Sequence, residues 1–220
     1  MDNGKKIDTK IDFRSDSFKK YFSNTSWLLI EKIIRLVLNF IVMIAVVRYL
    51  GPDQFGIYSY SISFYGLFVA LISLGMEGIS IRELVKYPDK RDQILGSVFY
   101  SQLIVALLAI SFIGLTLFIT SEELSVSILI LIISVSSFFQ TLNVVDYYFR
   151  STVKAKYSVY VLSTSVLLVS ITKIILILFE APLVAFIIAY SFEFVINSIG
   201  YLIVYNKQKR KIRNWKFDKS

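Results

Sequence analysis

A chain of 220 residues that is 55% hydrophobic, with a mean hydropathy of +0.64, holds more apolar side chain than a soluble domain of that size can bury. It has no His and no Cys, which excludes imidazole acid–base catalysis, Ser-His-Asp triads, disulfides and the usual zinc sites. The net charge of +8 does not point to nucleic acid, because the basic residues are sorted along the chain in the way a membrane explains.

Residues 1–26 carry Ile7, Ile11, Phe18 and Phe22 on one helical face with Lys and Asp elsewhere. This predicts an amphipathic segment lying on the membrane surface, with Thr25 or Ser26 capping the helix that follows. A bilayer-spanning helix needs about 20 mostly apolar residues. Six runs reach that length: 27–48, 56–79, 93–120, 124–149, 157–179 and 183–205. They are too long for strands and lack the two-residue alternation of a membrane barrel. The first run is too long for a cleavable signal peptide. The fold class is therefore all-α, a polytopic membrane protein whose spans occupy 27–205, followed by a basic tail over 206–220.

Charge then sets the topology. Basic residues cluster before span 1 (Lys5 to Lys20), after span 2 (Arg82, Lys86, Lys90, Arg91), after span 4 (Arg150, Lys154, Lys156) and after span 6 (Lys207 to Lys219). Six spans place all four clusters on one side. The opposite loops, "LGPDQF", "SEE" and "EAP", are short and acidic, with Arg48 at their edge. The positive-inside rule puts both termini in the cytoplasm. No G-x-x-x-x-G-K-[ST] occurs, so the chain brings no nucleotide-driven engine; no cofactor and no enzymatic activity are expected.

Ionisable residues at membrane depth are costly and therefore informative. Span 1 has Glu31, Arg35 and Asn39 four apart, with Lys32 alongside. Span 2 has a small-residue stripe, Ser59, Ser63, Gly66, Ala70 and Ser73, which predicts close helix packing, with Glu77 at its foot. Span 4 aligns Ser136, Gln140, Asn143 and Tyr147, beside Asp146; its serines read as helix–helix contact. Span 5 contributes Ser163, Ser170 and Lys173, and span 6 Tyr190, Glu193, Asn197 and Tyr201. A central charge costs about 2.5–3.5 kcal/mol while each large aliphatic residue returns about 0.3–0.6, so span 6 still inserts with Glu193. Lys173, close to it in depth across a hairpin, is the expected partner. Bland readings stand beside the functional ones. Lys173 and Glu193 form a packing pair or line a site; Glu31, Lys32 and Arg35 snorkel to the interface or face a cavity. Several polar stripes in one bundle point to a water-filled cavity or a cleft facing another bundle.

"SWLLIEKIIRLVLNFIVMIAVVRYLGPDQFGIYSYSISF" resembles the start of the bacterial polysaccharide repeat-unit flippases, relatives of the MATE exporters and the lipid II flippase. "SLGMEGISIRELVKYPDKRDQILGS", "QTLNVVDYYFRSTVKAKY" and "NWKFDKS" extend the resemblance, the last looking like the lead-in to a seventh helix. It implies one six-helix lobe of a MATE-like fold in a bacterial inner membrane. The implied substrate is an oligosaccharide on undecaprenyl diphosphate, moved from the cytoplasmic to the periplasmic leaflet for O-antigen or capsule synthesis. Lys32, Arg35 and Arg48 would meet the diphosphate, with Glu31 tuning them; Arg48 has headgroup anchoring as its other reading. Glu77, Lys173 and Glu193 complete the candidate substrate-binding set.

Full-length members carry a second lobe, so the implied partners are a C-terminal lobe or a second copy, together with polysaccharide polymerase and assembly proteins, the bilayer, and no nucleic acid. Two other readings stand: a non-transporting scaffold in polysaccharide assembly, and an autonomous six-helix secondary transporter.

Overall fold

The structure, a computed structural model, describes residues 16–73, 76–208, 212, 215 and 216, with the backbone alone at 16–21 and 69–73. The chain is helical almost throughout: α1 (Asp16–Ser73), α2 (Met76–Lys86), α3 (Arg91–Thr120), α4 (Leu124–Gln140), α5 (Val144–Ser151), α6 (Ala155–Leu178) and α7 (Leu183–Lys207). Short 3-10 turns lie at Pro88–Lys90 and Thr141–Asn143, and no strand occurs among the described residues.

Five stretches are long and apolar enough to cross a membrane by length and composition, the first being Phe22–Phe68. That first stretch holds two of the six predicted spans, because α1 breaks at Gly51, with φ 70° and ψ 175°. This conformation belongs essentially to Gly. Pro52 opens the second limb, a position where the missing N–H costs nothing. The limbs double back on each other. Arg35 meets Glu193 while the Tyr65 ring lies 6.3 Å from that of Phe194, although a straight helix would hold positions 35 and 65 about 45 Å apart. Among the described residues the protein is thus an all-helical, multi-pass membrane protein, the two limbs of α1 and four further stretches giving six spans, with α4 and α5 in series as the fourth.

The limbs of α1 pack on α6, α4 and α3; α7 packs on α4 and α6; α2 lies against α5 and α3. Two apolar cores divide the bundle by depth. One gathers Val46, Leu50, Tyr58, Ile113, Ile130 and Phe186 near the acidic turns. The other gathers Leu95, Val144, Phe149, Tyr201, Tyr205 and Trp215 at the basic end. Both sets come from several helices because every second connection returns to the same side.

Local chemistry departs from the sequence reading at the start of span 1 and within span 4. α1 runs unbroken through Thr25 and Ser26, so neither caps it. Asn24 acts instead across the bundle, its Oδ1 accepting the Ala155 N–H at 2.8 Å at the start of α6. Of the expected surface segment over 1–26, residues 1–15 lie outside the described residues, and from Asp16 onward the chain belongs to α1. Span 4 tightens into a 3-10 turn after Gln140, where Ser136 and Thr141 donate to the carbonyls of Ile133 and Phe138, three residues back. Ser198 on α7 donates to the Phe139 carbonyl at that bend. Ser134, Ser136 and Ser137 of span 4 are buried in the bundle, Ser134 and Ser137 fully enclosed.

The small-residue stripe of span 2 does not pack closely. A Cβ on Gly66 would meet nothing within 4 Å, and Ser59 and Ser63 face a cavity; the side chains of Ala70 and Ser73 lie outside the described residues. Close approach occurs at two glycines on other spans. A Cβ on Gly200 would lie 2.7 Å from Val161 Cγ1, and one on Gly96 would lie 2.4 Å from the Lys216 carbonyl oxygen. The chain after α7, read in the sequence as a basic tail leading toward a seventh helix, returns at Trp215 and Lys216 across the head of α3. The Lys216 N–H donates to the Asp92 carbonyl at 3.2 Å, and the Trp215 indole N–H donates to the Tyr205 hydroxyl at 3.2 Å. Lys209, Lys211 and the residues from Phe217 onward lie outside the described residues.

Candidate functional site

Folding α1 back at Gly51 opens a cavity between its two limbs, α6 and α7. The cavity holds about 370 Å3 and is lined by Asn39, Val42, Val46, Tyr58, Ser59, Ser63, Ser170, Lys173, Tyr190 and Glu193, among others. It is walled by apolar residues with a few polar groups converging on it, the composition expected of a ligand cavity. Its polar lining comes from the faces that the helical period marks on spans 1, 5 and 6, together with the serines of span 2.

At the cavity's edge Arg35 stands between two carboxylates. Its Nε donates to Glu31 Oε1 at 2.7 Å and its Nη1 to Glu193 Oε1 at 2.8 Å. Glu31 is buried one turn before Arg35, and the side chains of Arg35 and Glu193 are 30% and 15% exposed. The spacing of four between Glu31 and Arg35 makes their contact readable in the sequence. The link to Glu193 is not, because helical period fixes a face without naming the helix opposite it. Lys173 therefore does not take the role expected of it. The partner of Glu193 is Arg35, and the Lys173 ammonium donates to the Tyr58 hydroxyl at 3.3 Å, with the rings of Tyr58 and Tyr190 close by.

The other candidates fall outside the cavity. Lys32 is exposed on α1 and is not among the residues that line the cavity. Arg48 is exposed beside Phe40, Met43, Ile44 and Val47, along the outer apolar face of the first limb. Glu77 pairs at the basic end with Arg150, whose Nη1 lies 2.6 Å from Glu77 Oε1 and whose Nη2 lies 2.7 Å from Asp146 Oδ2. Arg150 thus joins α2 to α5. The sequence reading treated it only as a topology charge, although Asp146 and Arg150 also stand four apart. Buried Tyr201 lies within electrostatic reach of both clusters.

Among the described residues, the groups that line the cavity and its edge are arranged as an ion-paired and hydrogen-bonded wall. That wall balances two carboxylates with two cations, alongside phenols, hydroxyls and an amide, at membrane depth. No match was found among curated proteins or among solved structures. A family model described as "polysaccharide biosynthesis protein" matches residues 22–220, which takes in α1 from Phe22, α2 to α7 and all seven candidate residues. The chain belongs to this family, the polysaccharide flippases.

Proposed function

We propose that the chain is one lobe of a flippase that carries undecaprenyl-diphosphate-linked oligosaccharide repeat units across the bacterial inner membrane for O-antigen or capsule synthesis. The observation that supports this most is the cavity at membrane depth, walled on one side by Lys173, Glu193 and the tyrosines. A volume of about 370 Å3 is near the low end for ligand cavities, about 300–1,000 Å3. A repeat unit of several sugars needs more room, which a second six-span lobe or a second copy provides across the open face. Both termini lie in the cytoplasm in this reading, where the basic end faces the acidic headgroups of the inner leaflet. Arg35 holds spans 1 and 6 together at the cavity edge, and its carboxylates keep the wall near neutrality, so that cargo is bound without being trapped.

The test is genetic. Deleting the gene should abolish surface polysaccharide and leave lipid-linked repeat units on the cytoplasmic leaflet. The wild-type chain should restore export, and Arg35→Ala should fail to do so at equal membrane levels. Full export with Arg35→Ala and with Lys173→Ala would favour a non-transporting scaffold instead.

A further inference from the structure

The second limb of α1, from Pro52 to Ser73, is about 33 Å of helix, enough to cross a hydrocarbon core of about 30 Å. α2 therefore starts at the membrane interface on the basic side, where it lies against α3 and α5. Its residues sort by face. Ser80 and Leu84 are buried against the bundle, whereas Arg82 and Lys86 are exposed. Ile79 and Val85 are exposed as well, two large apolar side chains left open at that level. Such a helix suits the boundary between headgroups and acyl chains.

A groove of about 430 Å3 runs between α2 and the head of α3. Ile79 and Tyr87, about two turns apart, form one side of it, and Ile94 and Val98, one turn apart on α3, form the other. Lys90 lines it from the turn that joins the two helices. The groove is thus apolar toward the spans and cationic at the turn. The Lys86 and Lys90 ammoniums gather on the Tyr87 ring, 4.8 and 5.9 Å from its centroid. Neither has a carboxylate within 4.0 Å among the described residues. Glu83, the acid in the groove lining, lies 3.7 Å from Arg82 Nε, and Asp92 lies 2.7 Å from Arg91 Nη2. That leaves exposed Asp89 in the turn against two lysines. One ring face satisfies two ammoniums only in part. The missing complement is an anion with an apolar tail.

We propose that this groove holds one anionic phospholipid of the basic-side leaflet, with its phosphate on Lys86 and Lys90 beside Tyr87 and an acyl chain between Ile79 and Val98. The site lies apart from the membrane-depth cavity, and it does not depend on the flippase reading. The purified full chain in detergent is probed by native mass spectrometry and thermal melts with phosphatidylglycerol and phosphatidylcholine of the same acyl chains. One phosphatidylglycerol should be retained per chain, about tenfold more tightly than phosphatidylcholine. Each lysine near an anionic headgroup is worth about fivefold, and Asp89 offsets part of the sum.

Lys86→Gln combined with Lys90→Gln should bring phosphatidylglycerol down to the level of phosphatidylcholine, and the paired arginine changes should keep the preference. Lys154→Gln combined with Lys156→Gln removes the same charge at the same end and should leave the preference unchanged. Ile79→Ser should weaken both lipids. Circular dichroism identifies any variant that fails to fold, and the two single lysine changes carry the comparison should the double one do so.

Equal retention of the two lipids by the wild-type chain would overturn the proposal. An equal loss in the Lys154 and Lys156 variant would also overturn it, because the attraction would then belong to the whole basic face. Displacement of the lipid by inorganic phosphate at the same concentration would remove the acyl chain from the site. Displacement by equimolar undecaprenyl phosphate, dependent on Lys86 and Lys90, would assign the groove to a carrier lipid instead.

Discussion

Arg35 on α1 and Glu193 on α7 form a 2.8 Å ion pair across 158 residues of sequence, and the same guanidinium also holds Glu31 at 2.7 Å. The pair is unequal in its consequences. Removing Arg35 leaves two carboxylates facing each other without a cation, whereas neutralising Glu193 leaves Arg35 still paired with Glu31. Breaking a fully buried pair costs about 3–5 kcal/mol, and the partial exposure of Arg35 reduces this to about 1–3 kcal/mol. Arg35→Ala should therefore lower the melting temperature in detergent more than Glu193→Gln does. Adding Glu193→Gln to Arg35→Ala should recover part of the loss.

Gly51 and Gly56 make a matched test of the hairpin. Gly51 has φ 70° and ψ 175°, a region where a Cβ costs about 1–3 kcal/mol. Gly56 sits in the helical second limb with nothing within 4 Å of a built Cβ. Gly51→Ala should destabilise the protein by that amount, while Gly56→Ala should be neutral or stabilising by up to about 1 kcal/mol. Thermal melts of the two variants check the contrast.

Trp215 reports whether the segment after α7 is docked. The chain has two tryptophans, so Trp27→Phe leaves Trp215 as the sole indole. Its ring is buried against Phe99 and Tyr205, at centroid distances of 5.5 and 5.9 Å. Its emission should be blue-shifted and poorly quenched by iodide. Gly96→Ala drives a Cβ into the Lys216 backbone and should shift the emission red and raise quenching. Unchanged emission in Gly96→Ala would mean that the segment does not lie across α3.

Ser198 donates to the Phe139 carbonyl where span 4 tightens. Interhelical hydrogen bonds in membranes average about 0.6 kcal/mol and reach about 1.7. Ser198→Ala should fall in that range when unfolding is followed in mixed micelles. Ser111→Ala, which loses only a bond to its own helix at Leu107, should cost less.

The long apolar helices and the Gly51–Pro52 reversal were legible because length, apolar runs and turn chemistry are local properties, whereas the end of span 2 was not: α1 ends at Ser73 and Glu77 lies in α2. The polar faces of spans 1, 5 and 6 were legible for the same reason, and Asn39, Ser170, Lys173, Tyr190 and Glu193 of the cavity lining follow from them. Which faces meet was not. Depth matching chose Lys173 for Glu193, but the rotation of α1 brings Arg35 there instead. The stripe of span 2 misled because small residues serve an open wall as well as a tight contact. Gly96 and Gly200, which do make tight contacts, stand singly in otherwise ordinary helices. Their role depends on a neighbour far along the chain, and for Gly96 that neighbour lies in the tail.

The account centres on passage of carrier-linked oligosaccharide along the Arg35–Lys173 wall. Its most direct test uses inverted inner-membrane vesicles supplied with labelled undecaprenyl-diphosphate oligosaccharide. The fraction protected from periodate is followed over time. The account predicts that protection grows in vesicles carrying the chain. It should fall to the level of vesicles lacking the chain when Arg35→Ala or Lys173→Ala is present in equal amount. Protection that grows equally without the chain, or that ignores both substitutions, would contradict it.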